Sequence, residues 1–131
     1  MKRRRKKRDL EICFFEGLVK ERPNFVDALL CLGDAYTRQG FYEEGLAVDK
    51  KLTELTPNDP IVNYNTACSY SLVNQFEQAL KYLKRAIDFG YTDFDYILKD
   101  DDLKLLRDSP EFNVFWTSLK EKEPAFFKKN L

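Results

Sequence analysis

The residues able to do chemistry in this chain are few, and the densest group is acidic. Asp93, Asp95, Asp100, Asp101, Asp102 and Asp108 lie close together and could be imagined as ligands for a hard cation. Their order lacks the D-x-[DN]-x-[DN]-G run of a calcium loop, so loop acids and helix caps explain them more simply. Cys13, Cys31 and Cys68 are odd in number, widely spaced and without a C-x-x-C pair, which leaves no metal or redox motif. Each falls among apolar helical residues, where a free thiol behaves as a small hydrophobe. Reduced core cysteines in a cytoplasmic protein are the expectation. The chain has no histidine, which removes the commonest general base and metal ligand. Neither a nucleophile–base pair nor a glycine-rich phosphate cradle is present. The expectation is a protein that is not an enzyme and uses no metal or cofactor.

The elements that must position these residues repeat every 34 positions. Leu18 recurs as Leu52 and Ala86, and Ile12 as Leu46 and Leu80. Pro23-Asn24 returns as Pro57-Asn58, Tyr36 as Tyr70, Gly33 as Ala67 and Tyr42 as Phe76. A period of this length marks stacked helix–turn–helix units, none of which can bury its apolar face alone. The spacing predicts helices from about Asp9 to Glu21, Phe25 to Gln39, Tyr42 to Leu55, Pro60 to Leu72 and Phe76 to Gly90. Pro23, Gly40 and Gly90 supply stops. After Gly90 the repeat is lost, and two short helical turns are expected before Ser109. Ser109-Pro110-Glu111 then reads as cap, first-turn proline and first-turn acid of a helix to about Lys122, with Phe112, Phe115, Trp116 and Leu119 on one stripe. The 131 residues make one domain the prior. Residues 1–8 form a basic arm, 9–24 a half repeat, 25–59 and 60–93 two repeats, 94–123 a cap and 124–131 a tail.

These residues resemble the tetratricopeptide repeat family. Leu29-x-x-Leu32-Gly33-x-x-Tyr36, then Gly45, then Pro57, looks like one repeat. Ala67-x-x-Tyr70, Ala79, Leu83 and Ala86 look like a second. Asp49 and Asn63 depart from the pattern, for the family usually has large apolar residues there, and Tyr91 replaces the closing proline. The segment from Gly90 through Leu106-Arg107-Asp108-Ser109-Pro110-Glu111-Phe112 resembles a terminating segment after the last repeat of some bacterial members. The resemblance covers about residues 9–119. It implies an all-α, right-handed stack of antiparallel helix pairs, about five main helices plus a C-terminal capping helix, and a protein-binding role with no chemistry.

Stacking would place the first helix of each pair along one concave wall. Asp27, Leu30, Asp34, Thr37 and Arg38, then Tyr64, Asn65, Cys68 and Ser71, are the candidates to face out there and hold a partner peptide. Some members of the family clamp a C-terminal carboxylate on this wall. Leu30 and Asp34 stand where that clamp needs Lys and Asn, so a carboxylate is not the expected guest.

Two further features concern partners. Lys2, Arg3, Arg4, Arg5, Lys6, Lys7 and Arg8 are consecutive basic residues, and the rest of the chain holds 15 basic against 22 acidic residues. Such an arm could attract nucleic acid by counterion release, although no aromatic is interleaved and an acidic body would repel a duplex. The first helix has two apolar faces but one neighbour, so Ile12, Phe15 and Val19 are expected to stay exposed and could support a homodimer or another docking. No apolar run reaches the roughly 18 residues of a membrane span. Glu11 and Glu16 interrupt the short apolar run near the start, which argues against a signal peptide.

Overall fold

Asp9 opens the first helix by accepting a hydrogen bond from the Ile12 N–H at 3.0 Å, satisfying a donor the helix cannot satisfy itself. The computed structural model describes residues 8–122. Its five main helices are α1 (Leu10–Glu21), α2 (Val26–Arg38), α3 (Tyr42–Leu55), α4 (Pro60–Leu72) and α5 (Phe76–Asp88). They match the expected spans to within a residue or two, and consecutive helices pack as antiparallel pairs. Left-handed backbone ends three of the helices: Gly40 at φ 85° after α2, Asn74 at φ 64° after α4 and Gly90 at φ 115° after α5.

The connector after Gly90 carries α6 (Phe94–Ile97), a 3-10 turn (Asp101–Leu103) and α7 (Lys104–Arg107), and α8 (Pro110–Lys122) follows. The architecture is an all-α stack of helix pairs closed by a helical cap. Among the described residues there is no strand, and no helix is long and apolar enough to cross a membrane.

Packing follows the small residues of the repeat. A Cβ on Gly45 would come within 2.8 Å of Thr37 Oγ1, and one on Gly33 within 3.1 Å of Asp49 Oδ1. Glycine therefore sets how closely α2 and α3 approach. The largest core joins Leu46, Tyr64, Tyr70, Leu80 and Leu83 of the stack to Phe94, Ile97, Leu103, Leu106, Phe112 and Trp116 of the cap. Asn63 is buried where the repeat pattern asks for a large apolar residue. Its amide nitrogen donates to the carbonyls of Pro57 and Asp59 at 3.0 and 2.8 Å, and its oxygen accepts from Arg85 at 3.3 Å. It thus ties the 57–60 loop to two helices with every polar atom occupied.

Ser109 caps α8 as expected. Its Oγ accepts from the Phe112 N–H at 3.2 Å and donates to the Leu106 carbonyl at 2.7 Å. Ser109→Ala removes both bonds from a buried position, and should lower stability by about 1–2 kcal/mol in a urea titration.

Two expectations fail on α1 and the cysteines. Ile12 is fully buried, and Phe15 and Val19 are half-buried, all packed on Leu32, Ala35 and Tyr36 or their neighbours. The exposed stripe is the opposite one, with Leu10 at 89% and Phe14 at 62%. Polar contacts fix this choice: the Tyr36 hydroxyl donates to Glu16, and Arg38 pairs with Glu11 at 2.5 Å. Both acids lie on the Ile12 side of the helix. Burial and the Glu16 carboxylate push the Tyr36 phenol up to about 12. Cys13 and Cys31 are exposed rather than in the core, and only Cys68 is buried.

Candidate acidic cavity between stack and cap

The concave side of α4 is not an open wall, because the connector lies on it. Tyr64 is 5% exposed, stacks on Tyr91 with ring centroids 4.2 Å apart, and donates its hydroxyl to Asp100 Oδ2 at 2.6 Å. Burial, then the surrounding charge and the bond to Asp100, raise its phenol far above the usual range. Cys68 is likewise covered, with Sγ 3.7 Å from the same Asp100 oxygen. Ser71 is fully buried, and its Oγ has no hydrogen-bond partner among the described residues. Tyr64, Cys68 and Ser71 therefore do not face an open groove.

Arg107 holds the connector in place. Its Nη1 donates to the carbonyls of Ile97 at 2.8 Å and Asp100 at 2.6 Å. Asp100 Oδ1 accepts from the Asp102 N–H at 3.0 Å, which closes the 3-10 turn. Asp93 caps α6 through the Tyr96 N–H at 3.1 Å. Asp93 and Asp100 are thus caps, as their positions suggest. Asp100 is also a buried acceptor for two side chains of α4, which its loop position does not suggest.

Between these elements lies a cavity of about 180 Å³. Gly33, Asp34 and Thr37 of α2 line it on one side, and Asp49 of α3 reaches its floor. Tyr64, Asn65, Cys68 and Ser69 of α4 form the opposite wall, and Tyr96, Asp100 and Asp102 complete it. Four of the lining residues are aspartates and none is Lys or Arg. Asp34, Thr37, Tyr64, Asn65 and Cys68 are thus brought together around the cavity, with Tyr64 and Cys68 covered by the connector instead of facing an open wall. Asp27 stands exposed away from the cavity, Leu30 packs on the core of Leu29, Leu52 and Val62, and Arg38 is held outside by Asp34 and Glu11.

Asp49 is the least expected member. It is 5% exposed, and its carboxylate occupies the room left by the missing Cβ of Gly33. Oδ2 accepts from the Ser69 hydroxyl at 2.5 Å, and Oδ1 accepts no hydrogen bond among the described residues. Burial is the main reason its carboxyl is pushed up to about 7; the Ser69 bond opposes that rise and the Asp34 charge adds to it. Asp102 is raised too, first by burial and then by Asp100, Asp101 and Asp34. Its carboxylate also has no donor among the described residues. The sequence signal for Asp49 was its place within the apolar stripe Leu46, Val48 and Leu52. Asp102 stood out only as one of the six clustered aspartates, and nothing local marked Ser69 or Tyr96.

Cys68 Sγ and the carboxylates of Asp100 and Asp102 lie within 4.8 Å of one another. The thiolate, not the thiol, binds metals, and burial holds the Cys68 thiol well above its usual value. Asp100 already spends both oxygens on Tyr64, Cys68 and the Asp102 backbone. A metal would have to break these bonds first.

Of the basic arm, Arg8 alone falls among the described residues. It pairs with Glu16 at 3.2 Å and Glu44 at 3.3 Å and lies over the Phe41 ring. Lys2, Arg3, Arg4, Arg5, Lys6 and Lys7, and the tail with Phe126 and Phe127, lie outside them.

Fold and cavity together define a class: a short stack of helix pairs, sealed by a helical cap, with a carboxylate-lined cavity where the two meet. No protein-family model matches the chain. Over 101 residues it is 34% identical to a chloroplastic protein of Arabidopsis thaliana. That alignment covers 75% of this chain and 29% of the relative, so the chain spans less than a third of that protein's length.

Proposed function

We propose that this chain is a tetratricopeptide-type adaptor that performs no catalysis and holds a short segment of a partner protein. The observation that carries this reading is the concave side of α2. Asp27, Asp34 and Arg38 stay exposed there, Leu30 and Thr37 are half-buried, and Asp34 and Thr37 also line the acidic cavity. An extended peptide laid along such a strip gains contacts over its length and anchors one side chain at the end. The cavity is well below the roughly 300–1,000 Å³ of small-molecule sites, which argues for a side chain and against a cofactor. Three unpaired cysteines support a reducing compartment such as the cytoplasm. The relative's name assigns that protein to the chloroplast, and the same thiols would suit a reducing interior there.

Selection from a random displayed-peptide library against residues 1–131 tests the reading. Peptides should be recovered whose binding falls at least tenfold on Asp34→Arg, with the fold intact by circular dichroism. Failure to recover any peptide, or recovery of peptides indifferent to both Asp34→Arg and Thr37→Arg, overturns it.

A further inference from the structure

We infer that the cavity between α2, α3, α4 and the connector is a socket for a guanidinium group, the arginine side chain of a partner segment. The inference rests on the adaptor reading and names the chemistry of its anchor. Three observations carry it. First, Asp49 is a largely buried carboxylate that lines the cavity and whose side chain accepts one hydrogen bond among the described residues, from Ser69 to Oδ2. Oδ1 is not among the sealed, unpaired atoms, so it keeps access to water, and a guest's N–H would replace that water with a charge-assisted bond in a half-enclosed space. Second, Asp102 offers a second unpaired carboxylate across the same space, and no Lys or Arg lines it. Of the four lining aspartates, Asp34 alone is paired with a cation among the described residues, Arg38 from outside the cavity. Third, Tyr64 and Tyr96 line the cavity with rings 6.3 Å apart and tilted by 41°. Tyr91 covers one face of Tyr64, and aromatic rings beside carboxylates add attraction for a planar cation.

A guanidinium fits this set better than an ammonium. It spreads several N–H donors in a rigid plane, stacks on aromatic faces and is the more weakly hydrated of the two, so entering a half-enclosed space costs it less. A metal ion fits worse, because Asp100 and Cys68 are already bonded to each other and to Tyr64.

Binding should strengthen as pH rises, since a proton on Asp49 competes with the guest. The titratable groups facing the space are Asp34 from α2, Asp49 from α3, Tyr64 and Cys68 from α4, Tyr96 from α6, and Asp100 and Asp102 from the connector. Burial pushes the Asp49 carboxyl up to about 7, inside the pH range over which binding is compared. Arg38, on Asp34 from outside, keeps its charge throughout.

The test is a ¹⁵N–¹H titration of the full chain at pH 8 with n-propylguanidinium, its neutral isostere n-propylurea, n-propylammonium, zinc and calcium. Propylguanidinium should move the amides of Asp49, Ser69 and Asp102 saturably in the millimolar range, and propylurea should not. Affinity should fall at least fivefold at pH 5.5 and at least tenfold in Asp49→Asn, with Asp102→Asn as an independent variant. Equal shifts with propylurea, tighter binding of propylammonium, no saturable shift, or an unchanged affinity in both variants would each overturn the assignment. So would zinc or calcium filling the cavity at micromolar concentration and excluding propylguanidinium. The peptide selection separates the two claims. Recovered peptides without arginine sink the socket and leave the adaptor standing. Propylguanidinium binding with no recovered peptide keeps the guanidinium site but sinks the adaptor reading and, with it, the partner segment as the source of the group.

Discussion

Asp49→Asn will be more stable than the parent at pH 8 by about 2–4 kcal/mol, and nearly equal to it at pH 4. The carboxyl is buried between Gly33 and Ser69 and is pushed up from 3.8 to about 7. An acid raised on folding binds its proton more tightly in the native state than in the unfolded one. Between about pH 4 and pH 7 the native chain therefore holds a proton the unfolded chain has lost, and stability falls as pH rises through that window. Above pH 7 the full cost of a buried charge is present; roughly three pH units at about 1.4 kcal/mol each set an upper bound near 4 kcal/mol. Asparagine keeps the shape and an acceptor for the Ser69 hydroxyl, and it never ionises. Thermal or urea unfolding of both proteins from pH 4 to pH 9 should show curves that coincide at low pH and diverge toward pH 8. A constant gap, or a less stable variant at pH 8, would show that Asp49 is ionised at little cost. The same substitution is expected to weaken guanidinium binding, so stability and binding would move in opposite directions at one residue.

Trp116→Ala should lower stability by about 3–5 kcal/mol, the usual range for truncating a large buried aromatic. The indole lies stacked on Phe112 with ring centroids 5.3 Å apart and edge-on to Phe94 at 5.9 Å. It is therefore the contact by which α8 grips α6. It is also the chain's single tryptophan. In the parent, its fluorescence reports the cap while far-ultraviolet circular dichroism reports the whole stack. The two transitions should coincide in urea, because one core runs through both regions. In the variant, circular dichroism should show the midpoint shift, and hydrogen exchange should speed most across residues 94–107. A loss under about 1 kcal/mol would mean that α8 contributes little to the cap.

The helix pairs were readable because their cause is local. Apolar spacing, Pro60 at a first turn, Gly40 and Gly90 at helix ends and the 34-residue echo all act within a few residues of one another. The orientation of α1 was not readable in the same way. Leu10 with Phe14 and Ile12 with Phe15 are comparable stripes, and the choice falls to Glu16 meeting Tyr36 and Glu11 meeting Arg38 across the next helix. The cavity was half readable. Asp34, Thr37 and Asn65 follow from the repeat, which says where the concave side of each first helix lies. The closing of α4 does not follow, because the Tyr64–Asp100 bond spans 36 positions in a segment with no period. Asp49 carried the one usable hint, a charge standing in an apolar stripe, yet what surrounds it depends on helices that come before and after.

The Tyr64–Asp100 bond also bears on how such a chain could change over evolutionary time. Repeat proteins commonly lengthen by duplicating a unit, and each copy brings its own surface. Here the cavity draws Asp49 and Ser69 from the repeats but Asp100 and Asp102 from the non-repeating segment. A unit inserted between Gly90 and Tyr91 would carry the aspartates away with the cap and set them against a new helix. The cavity would be dismantled rather than multiplied. The recognition proposed for it would thus be monovalent by construction, fixed to the last junction of the stack, and any gain in avidity would have to come from outside the repeat.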